Sequence, residues 1–452
     1  MERIYYHSTN RDLAPHYTPP VTFKDALFRG LAPDEGLFMP TILPTLTKQE
    51  LKEIKHKPYS DVAFLVLNKF LNHDIEENTL RYILEKIYNF KLPIEPIDNI
   101  TYLIRLDQGP TASFKDFGAQ FMAQMMAHLK TDSSDITVLV ATSGDTGSAV
   151  GEAFRDLEGF KVYLLYPKNE VSKIQEHQLT SIGNNIQAIA IDGKFDDCQA
   201  LVKLALSDNS LEFLHFTSAN SINIGRVLPQ IVYYVYAYIN IARNSEPMVF
   251  SIPSGNFGNS LGCEIARRMG LPVKKIIIAV NENDEFPKFL NAGSYQKVSP
   301  SRNCLSNAMN VGNPSNLARY FDFYGGILTK EGTIHKQPNL ENMKKKLFSV
   351  SVSDVETVDT IIKMNSKNNL LIEPHGAVGI YALQKYRENN RAEPAICIET
   401  AHPAKFPEVL EEVLHTKIDS PPSLLKYKSR STKVTFLNNN YIEFKSYLLD
   451  NK

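Results

Sequence analysis

One lysine of this sequence lies where a lysine is unexpected. Lys115 belongs to the segment 109–120 (GPTASFKDFGAQ), which runs into the helical pattern FMAQMMAHL. Amide groups at a helix start disfavour positive charge, so lysine is normally avoided there. Between Phe114 and Phe117 its amine should have a lowered pKa, which favours attack on an aldehyde and later action as a base. A solvated surface lysine is the common alternative for an arbitrary lysine, and it stays open at this point.

Two glycine-containing segments have the composition of anion-binding turns. The segments 143–147 (SGDTG) and 253–259 (PSGNFGN) each follow an apolar run and precede a helical pattern. Glycines permit a tight turn, and the free amides at a helix start can hold an anion. The second segment matches neither GxGxxG nor a Walker A sequence, so a nucleotide site is disfavoured. The alternatives are a plain turn capped by Asp145 or Thr146, and a plain loop at the second segment.

A further segment, 399–406 (ETAHPAKF), follows the apolar run AICIE. Thr400 is expected where a strand ends, so its hydroxyl can face a ligand. His402 and Lys405 can be catalytic, but surface or helix-capping positions are the favoured interpretation for both.

Short apolar runs that alternate with helix-length segments must position these motifs. Such runs indicate parallel sheets covered by helices on both faces, and ligands bind beyond the carboxyl ends of their strands. Helical patterns around 48–54, 61–71 and 80–88 form a separate opening region, and 281–346 is interpreted as loop-rich. The predicted strands are 136–142, 161–167, 186–192, 211–217, 248–253, 274–280 and 395–400, and helices between them include 148–157, 196–206 and 259–269.

Composition limits the classes of function. A length of 452 residues suggests two or three globular units, and a net charge of -1 gives no general attraction to nucleic acid or anionic lipid. The four cysteines form no CxxC pair, so neither a metal site nor a disulfide framework is expected. No apolar run is long enough to span a bilayer, and the first residues lack a signal-peptide pattern. We therefore expect a cytoplasmic protein without nucleic-acid or membrane partners.

In their order along the chain, GPTxxFKDF, SGDTG, NSIN, PSGNFG and TAHPAKF resemble the threonine synthase family. Chance matches to all of these segments in order are implausible. The resemblance covers most of the chain and includes DEGLFMP (34–40), AIDGKFDDCQALVK (190–203), SANSINIGR (218–226), SNAM (306–309) and EPHGAV (373–378).

This resemblance implies an α/β fold of the fold-type II pyridoxal-phosphate enzymes, with mostly parallel sheets flanked by helices and a mainly helical N-terminal region. The cofactor, pyridoxal 5′-phosphate, would lie between two α/β domains. We expect the following division: an N-terminal domain at 1–95, a large cofactor-binding domain at 96–142 and 223–420, a smaller α/β domain at 143–222, and a C-terminal tail at 421–452.

The resemblance also implies roles for individual residues. Lys115 would form the Schiff base with the cofactor and act as general base, and Thr400 would bind the pyridine nitrogen. The other expected cofactor-binding residues form the phosphate loop: Ser254, Gly255, Asn256, Phe257, Gly258 and Asn259. The expected substrate-binding residues are Ser143, Asp145, Thr146, Asn220, Ser221 and Arg226, whose planar guanidinium suits a phosphate.

The reaction implied is the conversion of O-phospho-L-homoserine and water to L-threonine and inorganic phosphate, the last step of threonine biosynthesis, by a monomer or homodimer. Lys115 would remove the Cα proton and assist proton transfer at Cβ, while phosphate leaves from Cγ and water adds at Cβ. A neutral hydroxyl such as that of Thr400 would not stabilise a protonated pyridine as a carboxylate does, so the cofactor should be a moderated electron sink.

The chain departs from the family pattern at two positions near the motifs. Gln108 stands where the family usually has histidine, and Asn259 where it usually has aspartate. Two rival functions remain: a serine or threonine dehydratase of the same fold, and a catalytically silent protein that binds the cofactor or a phosphorylated ligand.

Overall fold

The chain folds into a succession of helices and strands, as a computed structural model shows for residues 2–13, 18–131, 133–390 and 393–451. The strands are β1 (Tyr6–Ser8), β2 (Phe38–Pro40), β3 (Ile94–Pro96), β4 (Thr101–Arg105), β5 (Ile136–Ala141), β6 (Phe160–Pro167), β7 (Ile186–Asp192), β8 (Phe216–Ser218), β9 (Met248–Pro253), β10 (Val273–Val280), β11 (Ile327–Leu328), β12 (Ile334–Lys336), β13 (Leu347–Ser351), β14 (Ala395–Glu399) and β15 (Thr435–Asn438). The helices are α1 (Phe23–Arg29), α2 (Lys48–Glu53), α3 (Tyr59–Leu71), α4 (Glu77–Ile87), α5 (Lys115–Leu129), α6 (Asp145–Phe154), α7 (Lys173–Thr180), α8 (Phe195–Leu206), α9 (Ile224–Val227), α10 (Gln230–Ile241), α11 (Gly258–Met269), α12 (Glu285–Ala292), α13 (Leu317–Phe323), α14 (Leu340–Lys346), α15 (Asp354–Asn368), α16 (Pro374–Glu388), α17 (Pro407–Leu414), α18 (Pro422–Leu425) and α19 (Tyr441–Asp450).

The larger sheet has the strand order β13-β10-β9-β14-β4-β3. Its strands pair in parallel, apart from β3, which runs antiparallel to β4. Every residue of β9 and β14 is buried, because helices cover both faces of the sheet. This explains why these strands have uniformly apolar sequences instead of alternating ones.

The smaller sheet has the order β15-β7-β6-β5-β8, and its strands all pair in parallel. Three of the motifs follow strand ends, as predicted: 143–147 follows β5, 254–259 follows β9, and 400–406 follows β14. The first strand lies in the smaller sheet and the other two lie in the larger one. The motifs from both sheets therefore meet only where the carboxyl ends of the two sheets face each other.

The helical N-terminal region packs on the helix that begins at Lys115. Helix α4 contacts α5, and α3 contacts α10. The ring of Phe117 lies at their centre, 5.3 Å from Tyr59, 5.8 Å from Tyr88 and 5.5 Å from Tyr233, measured between centroids. The Tyr88 hydroxyl also donates to the Phe117 carbonyl over 2.9 Å. The N-terminal region therefore fixes the position of the first turn of α5 through these contacts with Phe117.

Two of the predicted elements differ in the structure. The predicted strand 211–217 is wrong, since a 3-10 turn occupies Asn209–Leu214 and only β8 follows it. The Asp208 side chain accepts from the Ser210 amide, which favours a turn over an extended chain. The loop-rich interpretation of 281–346 is also incomplete, because α12, α13 and α14 lie within it.

The expected domain division needs revision in two places. Residues 136–142 were assigned to the large domain, but β5 pairs with β6 and β8 of the smaller sheet. The tail at 421–452 contributes β15, which pairs with β7 at the edge of the same sheet. Nothing in the local sequence of an apolar strand indicates which of two sheets it joins. Position along the chain therefore did not predict the sheet to which β5 and β15 belong. The other boundaries stay predictions. No helix within the described ranges is both long and apolar enough to cross a membrane.

The aromatic packing predicts a large loss of stability for Phe117→Ala. Because this side chain is fully buried among rings, the free energy of unfolding should fall by about 3–5 kcal/mol. Urea unfolding followed by circular dichroism measures the change. Tyr82→Ala is the control, since Tyr82 lies in the same region with 66% of its surface exposed. Equal losses in both variants would show that the ring cluster does not hold the N-terminal region on α5.

Candidate active site

A single cavity brings together most of the predicted site residues. Its wall is formed by the turns after β5 and β8 of the smaller sheet and after β9 and β14 of the larger one. Ser254 does not line it; its buried hydroxyl donates to the Ile252 carbonyl over 3.3 Å. The predicted residues in the wall are Lys115, Ser143, Asp145, Thr146, Asn220, Ser221, Arg226, Gly255, Asn256, Phe257, Gly258, Asn259 and Thr400.

Lys115 is the first residue of α5, and its amine lies 4.7 Å from the centre of the Phe114 ring. Removal from water lowers the pKa of this amine to about 8; the charge of Asp145 opposes the shift, and Arg226 and Lys405 add to it. The lowered pKa expected from the sequence is therefore present. Near neutral pH part of the Lys115 population therefore has a neutral, unprotonated amine.

Lys405 is a second buried lysine near the cavity, but its amine is already bonded to Asp145 and to the Thr111 carbonyl. It is fully buried, its Nζ lies 2.7 Å from Asp145 Oδ1, and it donates to the Thr111 carbonyl over 3.0 Å. The interpretation of Lys405 as a surface or capping residue is wrong, because a buried ammonium group needs a carboxylate partner. For His402 the capping interpretation is confirmed, since its Nδ1 accepts from the Ala404 amide over 3.1 Å.

The turn at 143–147 is not capped by Asp145 or Thr146, contrary to that alternative. The residue before the helix is Gly144, with φ 121°, and Asp145 is the first helical residue. Thr142 Oγ1 holds the turn instead, because it accepts from the amides of Gly144 (3.0 Å) and Gly147 (2.8 Å). Burial acts to raise the pKa of Asp145, but the charge and hydrogen bond of Lys405, the hydrogen bond of Gln175 and the charge of His375 together hold this pKa below its ordinary value.

The glycine loop between β9 and α11 is shaped to bring its backbone close to a ligand. Phe257 has the left-handed φ of 61°. A Cβ on Gly255 would lie 2.8 Å from the Ala308 carbonyl oxygen, so only glycine fits there without a shift of the backbone. Asn259 Nδ2 donates to the Pro253 carbonyl over 2.8 Å, which an aspartate could not do. The departure at Asn259 therefore closes the loop onto the end of its own strand.

Three helices begin at the cavity: α5 at Lys115, α6 at Asp145 and α11 at Gly258. The Thr142 hydroxyl holds the start of α6, whereas no side chain of the described residues caps α5 or α11. Unpaired amides at a helix start carry partial positive charge and bind anions. These amides, the loop with its close backbone, and an amine of low pKa together fit a phosphorylated aldehyde such as pyridoxal 5′-phosphate.

Asn220 and Ser221 line the cavity but are held by other residues. The Asn220 side chain pairs with the Ala141 backbone, accepting from its amide (3.2 Å) and donating to its carbonyl (2.7 Å). The Ser221 hydroxyl accepts from Asn316 Nδ2 over 3.2 Å. The amide of Asn220 thus ties the segment 218–226 to the end of β5.

Arg319 and Asn316 were not among the predicted site residues, although both support that segment through hydrogen bonds. Arg319 is fully buried and donates to the carbonyls of Ser221 (3.2 Å), Ile222 (2.6 Å) and Phe38 (3.1 Å). It therefore joins the N-terminal region to the cavity wall. The helical pattern in 317–323 was the available signal, but it lay in a stretch interpreted as loop-rich.

Thr400 has a buried partner that the sequence analysis also missed. Its hydroxyl donates to Glu373 Oε1 over 3.0 Å, so its lone pairs stay available to a ligand. Glu373 also accepts from the amides of His375 (2.6 Å) and Gly376 (3.0 Å) and from the His375 ring. His375 Nε2 accepts from the Ala308 amide over 3.1 Å, which leaves the ring proton on Nδ1 facing Glu373. Glu373 and His375 both lie in EPHGAV (373–378), one of the segments on which the family resemblance rests.

Gln108, the other departure from the family pattern, is exposed. Its side chain donates to Asp107 Oδ1 over 2.7 Å and does not line the cavity.

The fold and this cavity define the class of pyridoxal-phosphate dependent enzymes, and the family model of that description matches residues 91–399. Models described as threonine synthase N terminus and threonine synthase, C-terminal match residues 5–88 and 376–447. The chain belongs to the threonine synthase family.

Individual relatives agree with this assignment along the whole chain. The chain is 37% identical to threonine synthase of Haemophilus influenzae over 439 residues, which is 96% of this chain and 98% of the relative. It matches the crystal structure of threonine synthase from Escherichia coli with a TM-score of 0.88 and 34% identity, covering 99% of this chain and 100% of that one. It matches PLP-bound threonine synthase from Brucella melitensis with a TM-score of 0.89 and 31% identity, covering 98% of each chain.

These findings confirm the predicted family, α/β fold and cofactor. The roles of individual residues stay predictions.

The environment of Lys115 predicts how its reactivity depends on pH. Only an amine without its extra proton attacks an aldehyde, so labelling of Lys115 should rise with pH and reach half its maximum near the pKa of about 8. Cofactor-free protein would be treated with formaldehyde and cyanoborohydride, and the Lys115 peptide quantified by mass spectrometry. N-acetyl-lysine in the same tube serves as the control, with its midpoint roughly two pH units higher. Coincident midpoints would contradict the lowered pKa.

Proposed function

We propose that this protein converts O-phospho-L-homoserine and water to L-threonine and inorganic phosphate, with pyridoxal 5′-phosphate bound at Lys115. The observation that carries the proposal is that a glycine loop and a buried arginine line one cavity. The glycine loop at 254–258 suits the phosphate of the cofactor, and the guanidinium of Arg226 suits a second phosphate. A dehydratase, whose substrates carry no phosphate, would have no use for the second feature.

Arg226 is built to receive an anion. Its side chain is buried, and its Nη1 donates to the Ala219 carbonyl over 2.6 Å. Its Nε finds no acceptor among the residues that the structure describes. Burial lowers the pKa of this guanidinium to about 10, and Asp116 opposes the shift, so it stays charged near neutral pH. A buried charge with a donor left over favours a phosphate ligand.

Lys115 moves the protons in this proposal. When bound, the cofactor supplies an electron sink for the charge left at the substrate Cα. The amine of Lys115 takes the Cα proton and assists the loss of a Cβ proton as phosphate leaves from Cγ toward Arg226. Cγ then gains a proton, water supplies the hydroxyl at Cβ, and Cα regains its proton. A pKa of about 8 suits this double role, because the amine can both accept and release a proton near neutral pH.

The remaining predicted residues position the two ligands. The hydroxyls of Ser143, Thr146 and Ser221 are available for the substrate carboxylate, with Asn220 holding that wall. Gly255, Asn256, Phe257, Gly258 and Asn259, with Ser254 beneath them, form the cofactor phosphate loop, and Thr400 contacts the ring nitrogen. Asp145 is paired with Lys405, so we assign it to the electrostatics of the cavity instead of direct carboxylate binding.

We further propose that the protein acts in the cytoplasm on a small-molecule substrate, as a monomer or homodimer. All four cysteines are free and buried, which suits a reducing compartment.

The function is tested by assaying purified protein with O-phospho-L-homoserine and, separately, with threonine. Phosphate release and threonine formation from the first substrate are expected, and ammonia release from threonine would favour a dehydratase. Bound cofactor without turnover would favour a silent binding protein.

Borohydride reduction and peptide mapping should place the cofactor on Lys115, and Lys115→Ala should abolish turnover while cofactor can still bind non-covalently. A label on Lys405 would overturn the lysine assignment.

Gly255→Ala should weaken binding of pyridoxal phosphate by about tenfold or more, because the new Cβ would displace the loop from the Ala308 carbonyl. Absorbance titration of cofactor-free protein measures the affinity. Gly325→Ala is the matched control: its φ of 76° strains the new side chain, but no atom lies within 4 Å of the added Cβ. An unchanged affinity for Gly255→Ala would remove this loop from the cofactor site.

A further inference from the structure

An ion pair between Asp145 and Lys405 crosses the wall of the cavity. Asp145 follows β5 of the smaller sheet, and Lys405 follows β14 of the larger sheet. Their charged groups lie 2.7 Å apart, with 4% and 0% of the side chains exposed. The pair therefore joins the two sheets at the cavity that Asp145 and Lys115 both line.

Both charges have additional hydrogen bonds that fix their positions. The Lys405 amine donates to the Thr111 carbonyl over 3.0 Å, four residues before Lys115. Gln175 Nε2 donates to Asp145 Oδ1 over 2.9 Å. Oδ1 of Asp145 thus accepts from both an ammonium group and an amide, and both donors lie outside the predicted catalytic set.

The Lys115 amine lies among opposing charges. Asp145 favours its protonated form, whereas Arg226 and Lys405 disfavour it. His375 also lines the cavity, from α16. Without Lys405, Asp145 would be a buried carboxylate without its ammonium partner, and the Lys115 amine, whose protonated form it already favours, lines the same cavity. A lysine paired in this way would keep its proton and lose its use as nucleophile and base.

We propose that Lys405 is a positioning residue for Lys115: by pairing with Asp145, it prevents that carboxylate from capturing the Lys115 amine. The catalytic lysine then stays uncommitted in a cavity that contains a buried negative charge. This inference concerns the charge state of Lys115 and does not depend on which substrate the enzyme uses.

A purely structural role for the ion pair makes a different prediction. If the pair only joined the two sheets, its loss would lower stability without changing the titration of Lys115. The test therefore needs a measurement that follows the proton on Lys115 itself. Labelling by formaldehyde and cyanoborohydride, quantified on the Lys115 peptide as a function of pH, is such a measurement and requires no turnover.

Three full-length variants are compared with the wild-type protein, all freed of cofactor. Lys405→Met should move the labelling midpoint of Lys115 upward by about one pH unit or more, which means roughly tenfold less reactive amine at pH 7. Asp145→Asn should move it downward. The double variant Lys405→Met with Asp145→Asn should lie between the two single variants, because both opposing charges are gone.

The outcomes decide between the two roles. An unchanged midpoint in Lys405→Met, or shifts of the same sign in both single variants, would overturn the proposal and leave the pair a structural link. Near-ultraviolet circular dichroism checks that each variant is folded. If Lys405→Met fails to fold, Asp145→Asn and the neutral double variant decide: midpoints equal to that of the wild type in both would overturn the proposal.

Activity gives an independent readout on the holoenzyme. In Lys405→Met the pH dependence of kcat should shift in the same direction as the labelling midpoint, since kcat reports groups in the substrate complex. If no phosphate is released by the wild-type protein, the proposed function fails, but the labelling comparison still tests the role of Lys405.

Discussion

The removal of the Lys115 amine from water is the constraint on which the rest of the site depends. Burial lowers the pKa of this amine. The amine stays reactive only if no nearby carboxylate raises that pKa again by stabilising the protonated form. Asp145 is such a carboxylate, and it lies in the same cavity wall. Lys405 forms an ion pair with Oδ1 of Asp145, and Arg226 adds a second positive charge near the Lys115 amine. The site therefore combines buried charges whose effects on one amine oppose each other.

Buried hydrogen bonds hold the cavity wall from outside. Arg319 donates to the backbone carbonyls of Ser221 and Ile222 and to the side-chain oxygen of Asn316, so it fixes the segment around Ser221. Glu373 accepts from Thr400 and from the start of α16. Such buried networks tolerate little change, because each donor or acceptor left without a partner costs free energy. They explain how loops from two sheets keep a fixed shape at their meeting point.

The departures from the family pattern affect the site to different degrees. Gln108 is exposed and hydrogen-bonds to Asp107, outside the cavity wall. Asn259 is inside it, where its amide donates to the Pro253 carbonyl and closes the glycine loop. Neither departure replaces the lysine or the glycines of the site. The match to threonine synthases extends over nearly the whole chain.

The sequence by itself determined the parts of the site that are local. The start of α5 at Lys115, the tight turns after β5 and β9, and the buried apolar strands follow from patterns of neighbouring residues. The resemblance supplied the family, the cofactor and the reaction. Only the tertiary structure decided which sheet β5 joins, that Lys405 pairs with Asp145, and that Arg319 supports Ser221. These contacts join residues far apart in the chain, and the charge state of a buried group depends on what packs around it. No local pattern carries that information.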